Sequence, residues 1–106
     1  MGMRENLEAL LAKGQDNPLL RLTLGELCLK ADDAVVAVEH LSKAIELDPQ
    51  YSAAWKLYGR ALAEADRAEE AIAAYTQGIA TAEAKGDLQA AKEMRVFLKR
   101  LQRDPR

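Results

Sequence analysis

The feature that most constrains this chain is an internal repeat. When Pro18–Tyr51 is slid onto Ser52–Lys85, an offset of 34 residues, Gly25 falls on Gly59, Ala31 on Ala65, Asp32 on Asp66, Ala37 on Ala71 and Ile45 on Ile79. Conservative pairs fill the gaps: Cys28 with Leu62, Val38 with Ile72, Leu41 with Tyr75, Ser42 with Thr76 and Ala44 with Gly78. The matched positions are mostly small or apolar and the unmatched ones mostly polar. Two copies of one structural unit leave this record when packing fixes only the inner face.

The unit is helical. Alanine is abundant, β-branched residues are few, and apolar residues recur at helical spacing through almost the whole chain. Clear breaks divide it. Gly14 to Pro18 is a polar loop in which Asn17 is placed to cap a helix and Pro18 to start it. Asp32-Asp33, Asp48-Pro49, Asp66-Arg67 and Gly86-Asp87 mark the later boundaries. These signals predict six helices, at about 4–13, 18–31, 33–47, 52–65, 67–85 and 88–103. A length of 106 residues and 11.7 kDa fits one domain, with room for one modest core.

A 34-residue helical hairpin resembles the tetratricopeptide repeat. The second copy places Trp55, Tyr58, Gly59 and Leu62 on its first helix, and Ala71, Tyr75 and Gly78 on its second. The first copy has Leu24, Gly25, Cys28, Ala37, Leu41 and Ala44, closed by Pro49. Gly59 and Ala71 leave room for two helices to cross closely, and Tyr75 fills the space beyond. The resemblance implies an all-α solenoid of two stacked hairpins, residues 18–51 and 52–85, flanked by capping helices in 1–17 and 86–106. Departures from the family pattern carry expectations of their own. Arg21 stands where a large apolar residue belongs, opposite Trp55, which makes the outer end of the first repeat less apolar. Asp32 and Asp66 occupy turns where the family usually has Gly, which predicts slight strain at both. Glu83 replaces the closing Pro of the second copy, so the fifth helix is expected to run on to Lys85.

The flanks suit capping. Leu88, Ala91, Met94, Leu98 and Leu101 form an apolar stripe with Phe97 beside it, and Leu7, Leu10 and Leu11 form a shorter one. Charge is uneven. Residues 85–106 carry seven Lys or Arg against three acids, while the remaining 84 residues carry eight against fourteen. The ordinary reading of this basic stretch is a solvated last helix with cations toward its C-terminus. The sharper one is a contact with nucleic acid or an acidic partner.

Catalytic chemistry has little to stand on. The chain has no phosphate-cradling glycine loop and no metalloprotease motif, and nothing orients its single His and single Cys as a pair. Cys28 reads as a small core hydrophobe, His40 as a surface or rim residue, and Trp55 and Tyr58 as core aromatics. No apolar run is long enough to cross a membrane, and the N-terminus lacks an apolar signal core, so a cytoplasmic protein without metal or cofactor is expected.

What remains is interaction. The resemblance implies a concave groove, lined by the first helix of each hairpin, that takes a protein or peptide partner. Helical spacing puts Leu19, Leu22, Thr23, Glu26, Leu29 and Lys30 of the first copy there. It puts Ala53, Lys56, Arg60, Ala63 and Glu64 of the second beside them. Lys56 and Arg60, one turn apart beside an aliphatic strip, suit a short apolar segment bearing a carboxylate. The family's clamp for chaperone C-termini uses Asn at places that here hold Thr23 and Leu57, with Glu26 at another, so no cochaperone role is expected. Two other roles compete with the adaptor. One is self-association of the exposed ends as a homodimer. The other, weaker, is nucleic-acid contact through the last helix.

Overall fold

The computed structural model describes residues 2–103, which form α1 (Met3–Ala12), α2 (Pro18–Lys30), α3 (Ala34–Leu47), α4 (Ser52–Glu64), α5 (Ala68–Ala84) and α6 (Leu88–Arg103), with no strand among them. Asp104 and Arg106, counted above in the basic stretch, lie outside the described residues. The start signals act as read. Asn17 accepts a 2.8 Å hydrogen bond from the Leu20 amide, and Pro18 opens α2. Asp33 and Asp87 accept in the same way from the amides of Val36 and Ala90.

Four of the helices end in one hydrogen-bonding pattern. After α2, the amide of Asp33 reaches the carbonyl of Cys28 at 2.8 Å and that of Asp32 reaches Leu29 at 3.1 Å. The pairs Arg67→Leu62 with Asp66→Ala63, Asp87→Ala82 with Gly86→Glu83, and Gln15→Leu10 with Gly14→Leu11 repeat it. This Schellman arrangement needs one left-handed residue. That residue is Gly14 (φ 85°), Asp32 (58°), Asp66 (61°) and Gly86 (80°). The two aspartates therefore hold the strained conformation expected of them. Among the helices whose ends lie within the described residues, only α3 stops differently, at Asp48-Pro49, where Tyr51 donates its amide back to the Asp48 carbonyl.

Hairpins α2–α3 and α4–α5 stack, with α3 against α4 and α6 against α5. Along the other layer α2, α4 and α6 lie side by side, while α1 packs on α2 alone. Glycines set the crossings. A Cβ built on Gly25 would lie 2.5 Å from the Leu41 side chain, and one on Gly59 would lie 2.4 Å from the Tyr75 ring. One on Gly78 would meet Met94 at 2.6 Å and Trp55 at 2.8 Å, so three helices converge on that point. Leu24, Cys28, Ala37, Leu41, Ala44, Leu62, Ala71 and Tyr75 are buried, as their repeated positions require, while Trp55 and Tyr58 are half-buried. Leu24, Leu41, Leu62 and Met94, each at most 1% exposed, contribute about 1.5–3 kcal/mol apiece through burial. By contrast, α1 buries none of its residues, and its Leu7, Leu10 and Leu11 are half-covered.

Two substitutions test these constraints by chemical denaturation. Gly59→Ala is expected to lose about 1–3 kcal/mol, because the Tyr75 ring is backed by Phe97 at 5.8 Å and has little room to retreat. Adding Tyr75→Leu should recover part of the Gly59→Ala penalty; simple additivity of the two losses would contradict the contact. Asp32→Gly is expected to gain up to about 1 kcal/mol by relieving the left-handed turn, and a loss would show that Asp32 stabilises it in another way.

Candidate functional site

The first helices of the hairpins present one shared face. On α2, Leu19 is 63% exposed, Leu22 is half-buried against the core, Thr23 is half-buried, and Glu26 and Lys30 are exposed. Thr23 does not offer its hydroxyl outward as a free donor, because it donates to the Leu19 carbonyl at 2.9 Å. Leu29, expected on this face, is only 4% exposed and belongs to the core. On α4, Ala53, Lys56 and Ala63 are half-buried, and Arg60 and Glu64 are exposed.

The two cations are less available than their spacing suggests. Lys56 Nζ lies 2.7 Å from Glu93 Oε1 on α6, and Arg60 Nε lies 2.8 Å from Glu64 Oε2 one turn on. The Lys56 ammonium and the Gln89 amide together hold the Glu93 carboxyl below the usual carboxylate range. A ligand carboxylate must therefore compete with an internal one at either position.

The Lys56–Glu93 pair also brings α6 beside the α2–α4 face, whereas the sequence pattern offers that helix as a cap and, separately, as a basic contact for nucleic acid or an acidic partner. Helix α6 enters with Leu88 as α4 enters with Ser52, a displacement of 36 residues. With that displacement the buried Ala54 corresponds to the buried Ala90, and Lys56, Arg60, Ala63 and Glu64 correspond to Lys92, Val96, Lys99 and Arg100. Lys92, Lys99, Arg100 and Arg103 are exposed, and Val96 is 45% exposed. Among the described residues, none of these four cations has a carboxylate within ion-pair distance, and Arg100 lies 6.0 Å from the Phe97 ring centroid. Arg95, on another side of the helix, is bound to Glu83 of α5.

At the opposite end, Arg21 fills its unusual place through charge. It grips Asp16 with two hydrogen bonds of 2.9 Å and donates at 3.0 Å to Nδ1 of His40 on α3. A guanidinium only donates, so His40 accepts as a neutral ring with its proton on Nε2. Burial lowers the affinity of His40 for a proton, and Arg21 lowers it further. The Cys28 thiol is buried and its pKa is pushed up by that burial, which leaves it unreactive. No group of three or more His, Cys, Asp or Glu residues placed to hold a metal occurs among the described residues. None of their helices is long and apolar enough to cross a membrane.

The His40 environment predicts a pH dependence. Its folded pKa lies below its ordinary 6.5, so the unfolded chain takes up the proton first. Stability contributed by the neutral ring is present above pH 6.5 and is lost as pH falls below it. Asp16, lowered by Arg21, adds its own loss at more acid pH. Urea midpoints measured from pH 8 to 5 should therefore fall, and the slope should flatten in His40→Asn; an unchanged slope would exclude His40 as its source.

A tetratricopeptide repeat family model matches residues 29–94. The chain is 54% identical over 101 residues to a tetratricopeptide repeat-containing protein of Pseudomonas aeruginosa, spanning 95% of this chain and 96% of that one. A Bordetella parapertussis protein solved in solution shares 43% identity with a TM-score of 0.84, over 97% of this chain and 90% of its own. A Salinibacter ruber tetratricopeptide repeat domain in crystal form shares 28% identity with a TM-score of 0.74, over 81% of this chain and 97% of its own. The chain belongs to the tetratricopeptide repeat family, whose members generally serve as non-catalytic protein-interaction modules.

Proposed function

We propose that this chain is a non-catalytic adaptor that takes an extended segment of a partner protein on the face shared by α2 and α4. The reading divides it into an N-terminal flank, 1–17, two repeats, 18–51 and 52–85, and a C-terminal flank, 86–106, and puts it in the cytoplasm. The observation that carries it is Leu19, a large apolar side chain 63% exposed, beside half-buried Leu22, with exposed Arg60 on the neighbouring α4. Burial of Leu19 under a ligand side chain supplies the apolar gain, and Arg60 supplies a planar donor for a carboxylate. Arg60 exchanges Glu64 for the ligand at little cost, since exposed ion pairs of this kind are worth about 0–1 kcal/mol. Affinity for short peptides is modest, because ordering the chain offsets much of the contact energy.

The test is capture of partners from the native lysate by wild type and by a Leu19→Asp/Arg60→Glu variant. Lys56 is left intact because it ties α4 to α6. With helicity and melting temperature unchanged, captured partners are expected to fall about tenfold or more. Full retention by the folded variant would rule out this face. If light scattering showed a homodimer that the variant dissolves, a second copy of the chain would be the occupant of Leu19 instead.

A further inference from the structure

The solvent-facing stripe of α6 differs in charge from the rest of the described residues. Lys92, Val96, Lys99 and Arg103 stand at i, i+4, i+7 and i+11, which places them on one stripe of the helix, with Arg100 beside it. The buried residues Ala90, Ala91 and Met94 lie on the opposite side. Elsewhere the chain neutralises its arginines: Arg4 with Asp33 and Glu8, Arg21 with Asp16, Arg60 with Glu64, Arg67 with Glu70 and Arg95 with Glu83. Only on this stripe do four cations gather without a carboxylate partner among the described residues. They do so in a chain whose first 84 residues carry an excess of six acidic groups.

We propose that this stripe, together with Val96, binds an extended segment of a partner protein that turns acidic, apolar and acidic side chains to one side, at every second position. The proposal rests on the reading of the α2–α4 face as a peptide groove, and extends that groove across α4 to α6. Charge complementarity selects the ligand. From Lys92 to Arg103 the helix rises about 16 Å, the reach of about five extended residues. An extended chain turns every second side chain to the same side, so Asp or Glu at positions i and i+4 can meet Lys92 and the Lys99–Arg103 pair while an apolar residue at i+2 rests on Val96.

The same face disfavours nucleic acid. Its one aromatic neighbour, Phe97, is half-buried and packed on Tyr75 at 5.8 Å, which leaves no open ring on which a base can stack. Glu93 and Glu64 stand on the adjoining groove surface and oppose a continuous row of phosphates. Recognition also differs from capture of a chain end. Cations spread along three turns read carboxylates placed along a segment, whereas one terminal carboxylate fits one of them.

The experiment uses the full chain and three probes: an acetylated, amidated octapeptide Ser-Glu-Ser-Leu-Ser-Glu-Ser-Ser, its Gln-for-Glu counterpart, and an octamer of thymidylate. Binding is followed by amide chemical shifts and by fluorescence anisotropy. The Glu peptide is expected to shift the amides around Lys92, Val96 and Lys99 and to bind about tenfold or more tightly than the Gln peptide. That difference should vanish in Lys92→Gln/Lys99→Gln. These two side chains are exposed, so the variant retains its fold, and circular dichroism checks it. Equal binding of the two peptides on the α2–α4 face would overturn the acidic preference while leaving the groove reading intact. Failure of both peptides, or binding of the thymidylate alone, would overturn the proposal, and the Leu19→Asp/Arg60→Glu capture would still decide the groove reading separately. Dependence of Glu-peptide binding on a free C-terminus would overturn it as well.

Discussion

The structure depends on how closely its helices cross. Three glycines sit under Leu41, Tyr75 and Met94, and in each case a single added carbon would stand within 2.6 Å of the neighbouring side chain. Separation of α2 from α3 and of α4 from α5 is therefore set by a missing side chain on one helix and a large one on the next. The Gly78 crossing does more. It draws Trp55 of α4 and Met94 of α6 onto α5 together, so the second hairpin and the last helix share one packing centre. Position along the stack is fixed in this way without any hydrogen bond between the helices' backbones. The polar groups act at the edges, where Lys85 donates to the Gln50 carbonyl and Trp55 to that of Pro49.

The last helix follows α4 in its buried residues but not in its crossing residue. The positions of Gly25 and Gly59 correspond in α6 to Arg95, whose guanidinium is held by Glu83. A helix laid on α6 as α5 lies on α4 would meet that side chain where Tyr75 meets bare backbone. Close crossing is thus available to α2 and α4 and withheld from α6. The consequence is chemical as well as architectural. One side of α6 carries the exposed Arg95–Glu83 pair, its inner side is buried on α5, and its remaining stripe of Lys92, Val96, Lys99 and Arg103 stays open.

Local rules made the helices legible from the sequence. Asn17, Asp33 and Asp87 cap as single residues can be expected to, and the left-handed Gly and Asp residues end helices through bonds made within a few residues. The repeat offset then gave the buried set, because a matched small residue twice over reports a packing constraint. What escaped was tertiary. The Lys56–Glu93 pair joins residues 37 apart, and no spacing rule announces it. The correspondence of α6 with α4 was hidden because α5 has 17 residues where α3 has 14, which moves α6 out of the 34-residue register. Leu29 fell on the groove side by helical angle alone, but the stripe is covered at that level of α2 and the leucine is core. Arg60–Glu64 was the exception, an i,i+4 pair readable in advance, whose effect is to occupy the cation that the groove offers.

On the proposed reading, these ion pairs decide how the shared face attracts a ligand. An exposed pair contributes about 0–1 kcal/mol, so exchanging Glu64 for a ligand carboxylate at Arg60 is nearly neutral in energy and adds mainly orientation. Lys56 is costlier to divert, because its partner Glu93 also receives Gln89 and links two helices. The cations of α6 carry neither obligation. A carboxylate approaching them loses no internal partner, so the net attraction rises across the face from α2 toward α6. Apolar contact runs the other way, from Val96 at 45% exposure to Leu19 at 63%. On the proposed reading, a segment lying across all three helices is oriented by the protein, with apolar side chains favoured at α2 and acidic ones at α6, and a segment of reversed polarity brings its acidic end to Glu26.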